Sequence, residues 1–241
     1  MKTPQTMSDL DTLHGNSAFE VAIKRLEEKA KGYYRMLGDR NPANTAAYKA
    51  ELQKALGELE SEKRFVYMMA DLQAKLDSYR ATGRESAKGS AADIRTRQIY
   101  MQAEKHHPTG AMENYLRTDG RPKPSNAHTA HHIVPGKGKT KEAYQARINL
   151  HLASIRINDP DNGVWLVRNK KDIPHWSMPN SKAHLQYHTH NYERWVNRQT
   201  LRHFASEGRM RMQLRLMGQM LEENNVPPEV GQPPDYEWGG R

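Results

Sequence analysis

Apolar positions in the first third of the chain recur with a helical period. Phe19, Ile23, Leu26, Ala30, Tyr33 and Leu37 follow one another at steps of four and three, which puts them on one stripe of a helix. Asn16-Ser17 suits its N-cap. Gly38-Asp39-Arg40-Asn41-Pro42 ends it, because glycine fits the position past a helix and proline cannot continue one. A second stripe runs through Tyr48, Leu52, Leu56, Leu59, Val66, Met69, Leu72, Leu76 and Tyr79, with Glu and Lys on the opposite face. Two long amphipathic helices joined by a short link predict an antiparallel hairpin, and the Leu, Met and Tyr stripes read as its packing surface.

The pattern then changes. Residues 81–90 are small, polar and glycine-containing, and read as a linker or mobile loop. A short helix follows over about 91–106, and 118–125 is a second cluster of breakers. Beyond it, Ala130-His131-His132-Ile133-Val134-Pro135 reads as a short strand, and 139–153 as an inserted helix and crossing loop. Residues 157–163 form a dense turn signal that leads into a second strand, Val164-Trp165-Leu166-Val167. A helix starts near Lys182, with Asn180 or Ser181 as its cap. The expected class is α+β, mostly helical. The expected division is a helical N-terminal region over 1–110, a second domain over 111–226 and a Pro- and Gly-rich flexible tail over 227–241.

Composition narrows the function. With 36% hydrophobic residues and a mean hydropathy of −0.96, the 241-residue chain supports a modest core and long solvated helices. Lys and Arg number 37 against 28 acidic residues, a net charge of +9 that favours a polyanionic partner. The absence of cysteine excludes disulfides and thiolate-bound zinc. No apolar run approaches the ~20 residues of a membrane span, and no Sec-type signal opens the chain. The expectation is a soluble protein, cytoplasmic in its producer, with no membrane partner.

Histidine is unevenly placed: nine of the twelve lie between His128 and His203. Side chains alternate along a strand, so His131 and His132 face opposite ways and can serve different tasks, one on a metal and one toward substrate. His184 and His188, four apart, fall on one face of the helix expected from Lys182. Around these residues, 121–172 carries ten Lys and Arg against four acidic residues, a basic skirt suited to phosphate. Lys137, Lys139, Arg168 and Lys170 are its candidate contacts to a nucleic-acid backbone.

Three separated motifs occur in one order: Ala130-His131-His132 followed by Ile133-Val134-Pro135, then 158–166 (Asn-Asp-Pro-Asp-Asn-Gly-Val-Trp-Leu), then His184 and His188 with Tyr192. In this the stretch 127–202, about a third of the chain, resembles the AHH nucleases of the HNH/endonuclease VII superfamily. That family is common among toxin domains of bacterial polymorphic toxins and secreted effectors. The resemblance implies a ββα-metal nuclease fold with extra helices after the hairpin. It implies His131 as the strand metal ligand, His132 as the general base, Asn162 as the asparagine that fixes the loop and orients the base, and His184 and His188 as the ligands that complete the site. One divalent ion is implied, with Zn, Ni, Mn and Mg all open. The implied activity is a sequence-nonspecific DNA endonuclease acting as an antibacterial toxin. Its implied partners are an immunity protein and a delivery-system component docked on the N-terminal helices, with delivery into a target cell's cytoplasm. An RNase of the same fold and a non-catalytic, metal-stabilised nucleic-acid-binding module stand as alternatives.

Overall fold

The computed structural model describes residues 18–38 and 46–241. The expected cap at Asn16-Ser17 and most of the break at 38–42 lie outside them. The described chain divides into two compact units, one comprising residues up to 75 with 118–120, the other 76–117 and 121–241. In the first unit, α1 (Ala18–Leu37) pairs with the N-terminal part of α2 (Ala46–Ser86). Arg25 bonds Glu62 and Lys29 bonds Glu58, so one number rises as the other falls and the helices run antiparallel, as the stripes predict. These pairs are exposed and contribute little beyond register.

The helix α2 does not stop at Tyr79. It continues through the expected linker to Ser86, and only residues 87–90 break it before α3 (Ala91–Gln102). Two facts override the local signal. Arg80 bonds Asp159 and Arg84 bonds Glu207, which hold the last turns in place. Gly83 permits close approach, since a Cβ there would come within 2.5 Å of the Ser154 carbonyl oxygen. Ser90 and Asp93 then form a reciprocal capping box for α3.

The remainder of the second unit is mostly helical around a two-stranded sheet. Its elements are α4 (Gly110–Thr118), β1 (His128–His132), α5 (Lys141–Leu152), β2 (Gly163–Val167), α6 (His190–Thr200) and α7 (Glu207–Glu222). The strands are antiparallel, with His128 opposite Val167 and His132 opposite Gly163. Every residue of both strands is buried. One sheet face packs on the main core, which includes Ile133, Leu150, Trp195, Met210, Leu214 and Met217. A smaller cluster of Met112, Leu116, Ala130, Trp165 and Met178 covers the other. The strand histidines are therefore largely buried between layers, where a ring nitrogen that does not reach the cleft needs a defined partner.

Two further features position the site. Asp159 and Asp161 in the turn before β2 are at most 1% exposed and face Arg80, Arg211 and Arg215. Residues 227–241, expected as a flexible tail, fold back on α6. Val230 is fully buried, the Asn191 amide donates to the carbonyls of Glu229 and Pro233, and Arg194 donates to that of Trp238. One buried apolar side chain and satisfied carbonyls outweigh the local Pro and Gly content. Among the described residues no helix is long and apolar enough to cross a membrane.

Candidate metal and catalytic site

The turn Pro160–Asn162 ends where β2 begins, and its asparagine is fully buried. The Asn162 side chain accepts from Val134 N at 2.8 Å and donates to Ile157 O at 2.9 Å and Val134 O at 3.3 Å. It thus ties the exit of β1 to the loop entering β2 and fixes where the adjacent histidines emerge.

His131 and His132 point to opposite faces, as strand alternation requires. The His131 ring meets Tyr192, whose hydroxyl lies 2.9 Å from Nε2 and donates to Ile133 O at 2.7 Å. A phenol has one proton to give, so it accepts from His131, which is then protonated at Nε2 with its Nδ1 lone pair available. The His132 Nε2 lies 3.0 Å from Asn158 Oδ1. The Asn158 amide nitrogen donates to Glu104 Oε1 and Lys105 O, both at 3.0 Å. Both partners can only accept, so Asn158 Oδ1 faces His132, the His132 proton sits on Nε2, and Nδ1 is left basic.

His184 and His188 do not ride on an α-helix. His184–Tyr187 is a 3-10 turn, and α6 begins only at His190, capped by Thr189. Ser181, one of the two expected caps, donates instead to the carbonyls of Lys182 and Leu221. Tyr187 also donates to Leu221, so the segment is drawn off the helix axis. The rings still converge: centroids are 4.8 Å apart for His131 and His184 and 4.6 Å apart for His184 and His188.

A ligand nitrogen from each of His131, His184 and His188 lies within 4.8 Å of the other two. Among the described residues no hydrogen bond engages the rings of His184 or His188. Three neutral imidazoles, one buried and oriented by a tyrosine, suit a divalent ion bound by nitrogen. Bonds near 2.0–2.1 Å in a tetrahedral site would draw the nitrogens to about 3.3 Å, within reach of small side-chain rotations. His190 starts α6 and lies outside this group.

Charge-state arguments agree. Burial pushes the imidazolium form of His131 far down, and His184, His188 and His132 add to it. His184 falls to about 4, through burial first and then His188, His107 and Arg168. His188 falls through burial and Lys139. His132 falls to about 3, mainly through burial, against the opposing hydrogen bond to Asn158. All four rings are neutral at pH 7, as a metal ligand or a base must be.

One cleft joins these groups. It is lined by His131, His132, His184 and His188 together with Lys137, Lys139 and His107. Glu193 fixes its rim by accepting from Lys139 N and Thr140 N at 2.8 Å. Arg168 is exposed beyond His184, and Lys170 lies in the short turn Lys170–Asp172. Part of the expected basic skirt serves the fold instead. Arg121 bonds Gly163 O and Pro160 O, Arg147 bonds Gly136 O and Met101 O, and Arg156 bonds Glu104. Two other histidines of the dense region, His128 and His175, form a separate ring of hydrogen bonds with Ser125 and Ser177.

The two tasks expected of Asn162 fall on two residues in the structure. Asn162 fixes the loop, but Asn158 holds the ring. Both belong to the run Asn158-Asp159-Pro160-Asp161-Asn162, so the signal was present and pattern alone did not separate the two. Glu104, which secures Asn158, was not foreseen, nor was His107. The only mark of the latter is the His106-His107-Pro108 run upstream of the dense region.

Residues 112–218 match the model of AHH, a nuclease family of the HNH/ENDO VII superfamily with conserved AHH, and the chain holds one such run, Ala130-His131-His132. No curated protein and no solved structure matches the chain. The stretch that carries both strands, Asn158 and the three converging histidines is accordingly a nuclease domain of the AHH family.

Proposed function

We propose that this domain is a metal-dependent phosphodiester hydrolase that cuts DNA without sequence preference, with His131, His184 and His188 as metal ligands and His132 as general base. The observation that carries the reading is the division of labour between adjacent strand histidines. Their tautomers are fixed by different partners, Tyr192 on one side and Asn158 on the other, so that each keeps a free Nδ1.

Held by the three imidazoles, a divalent ion would supply positive charge to the phosphate oxygens. Imidazole ligation favours Zn, Ni or Mn over Mg. His132 Nδ1 takes the proton of the attacking water as the new P–O bond forms and the old one breaks, and the leaving oxygen departs with the bonding pair and takes up a proton from solvent. Asn158 keeps the ring in register and accepts from the Nε2–H throughout. A base held near pKa 3 is weak. An anionic phosphodiester beside it stabilises the imidazolium and raises that value toward the working range. Lys137 and Lys139 line the cleft and, with Arg168 and Lys170, hold the backbone, which carries no sequence information.

We extend the reading to an antibacterial toxin restrained by an immunity protein. This is supported by the family resemblance and by a net charge of +9 that an acidic partner would mask. The test is cleavage of supercoiled plasmid with Zn, Ni, Mn or Mg, comparing wild type, His132→Ala and an EDTA control. Metal-dependent nicking lost in the variant supports the reading. Plasmid left intact while a structured RNA is cut moves the substrate to RNA, and inertness toward both overturns it.

A further inference from the structure

The loop between α3 and α4 lies upstream of the family match and brings two adjacent histidines to the cleft. His106 is packed in. A Cβ at Gly136 would sit 2.2 Å from its Cγ, so only bare backbone allows the ring to seat against the loop after β1. It meets the His132 ring nearly at right angles, centroids 5.8 Å apart. His107 differs: its side chain is exposed, lines the same cleft as the three ligand candidates, and has its centroid 5.9 Å from that of His132. Lining that cleft, it borders the space between His132 and the three converging histidines. Among the described residues no hydrogen bond engages its ring, and it lies outside the converging ligand group.

The backbone that carries it is held firmly. Arg147 donates to the carbonyls of Met101 and Glu104 at 3.0 and 3.3 Å, and Asn158 donates to that of Lys105 at 3.0 Å. A donor fixed at the mouth of a reaction cleft, with no protein acceptor, has the substrate as its natural acceptor.

We propose that His107 is a further catalytic residue, whose imidazole N–H donates to a non-bridging oxygen of the scissile phosphate in the space between His132 and the three ligand histidines. The proposal rests on the nuclease reading above. Charge on those oxygens grows as water adds to phosphorus, so a positioned donor acts most strongly in the transition state. A solvated surface histidine would make no such difference, and a fourth metal ligand would lower metal content when removed.

The experiment uses the full chain as wild type, His107→Ala, His107→Gln and His132→Ala. Melting temperature, bound zinc per chain and turnover on a fluorescent DNA duplex at saturating concentration are measured for each. Removing one such donor typically costs about 10²–10³-fold in turnover. His107→Ala should therefore melt and bind zinc as wild type does while losing on the order of 10²-fold in rate. His107→Gln, whose amide restores a donor, should recover at least roughly tenfold of that loss. His107→Ala turning over within about threefold of wild type overturns the proposal, as does loss of zinc together with rate. Wild-type cleavage that His132→Ala abolishes keeps the nuclease reading whichever result His107 gives. Failure of wild type to cut any DNA or RNA overturns both.

Discussion

Replacing one or the other asparagine of the turn before β2 by alanine should have separable consequences, because the two do different physical work. Asn162 satisfies three buried backbone groups, Val134 N, Val134 O and Ile157 O. Each group left unpaired costs about 1–3 kcal/mol. The three share one site and relax together, so Asn162→Ala should destabilise the domain by about 3–5 kcal/mol. That corresponds to a melting point lower by roughly 10–15 °C for a chain of this size. Asn158 instead joins His132 to Glu104 and Lys105. Asn158→Ala strands one ring N–H, lets the imidazole turn or change tautomer, and so removes the base from its station. Base catalysis contributes ~10²–10⁴-fold, so a drop of about 10²-fold in turnover is expected, with a destabilisation of only about 1–3 kcal/mol. Thermal melting and plasmid nicking well below each variant's melting temperature separate the effects. Full turnover in Asn158→Ala, or an Asn162→Ala protein that melts like wild type yet is inactive, would refute this assignment.

His151 is 2% exposed, neither ring nitrogen has a hydrogen-bond partner, and burial with Arg147 and Arg156 pushes it to about 3. Its folded value lies below the unfolded ~6.5, so the stability it permits is complete above pH 6.5 and falls away as pH drops toward 3. Between pH 7 and 5 this amounts to about 2 kcal/mol, and His151→Leu should abolish that share of the acid sensitivity in denaturant titrations. Arg211→Leu should destabilise by about 3–5 kcal/mol, because it strips the nearly inaccessible Asp159 and Asp161 of the cation they share at 2.8 and 2.6 Å; a loss under 1 kcal/mol on urea unfolding would contradict the packing. Zinc at a hundredfold its dissociation constant should stabilise the wild type by about 2.7 kcal/mol. His184→Ala should lose most of that gain, and an equal zinc response in the variant would exclude His184 as a ligand.

The fold was legible where one periodicity ruled a long stretch. The stripes from Phe19 to Leu37 and from Tyr48 to Tyr79 gave the hairpin, and the histidine pair marked β1, although the strand runs His128–His132 and ends before the Ile133-Val134-Pro135 expected within it. It was illegible where distant groups set local structure. Gly83 reads as a breaker, yet it is the contact surface for Ser154 inside a continuous helix. Ser181 reads as a cap, yet its hydroxyl serves the carbonyls of Lys182 and Leu221, and Thr189 caps α6 eight residues later. The same limit applies to the site. The family resemblance grouped His131 with His184 and His188, and spacing paired the last two; the rings do converge, although through a 3-10 turn and not a helix face. Spacing could not tell Asn158 from Asn162, since the difference lies in which backbone groups each meets across the sheet.

The two sides of the strand pair draw on different parts of the chain. On the side of the proposed ligands, His131 is oriented by Tyr192, itself held by Ile133, so the matched stretch closes its own hydrogen-bond circuit. On the base side the circuit stays open within that stretch. Asn158 needs acceptors for its amide protons, and they are Glu104 and Lys105. Glu104 in turn accepts from Tyr79 at 2.6 Å and from Arg156 at 2.9 Å, and Tyr79 accepts from Asn158 N at 2.8 Å. A buried network of this kind orients its members only when every one is satisfied, and a half-satisfied one is costly. The end of α2 and the loop after α3 are therefore part of what holds His132. Variants confined to Tyr79 or Glu104 should leave metal binding intact while loosening His132, which ties the upstream helices to the proton-transfer half of the site and not to the ion.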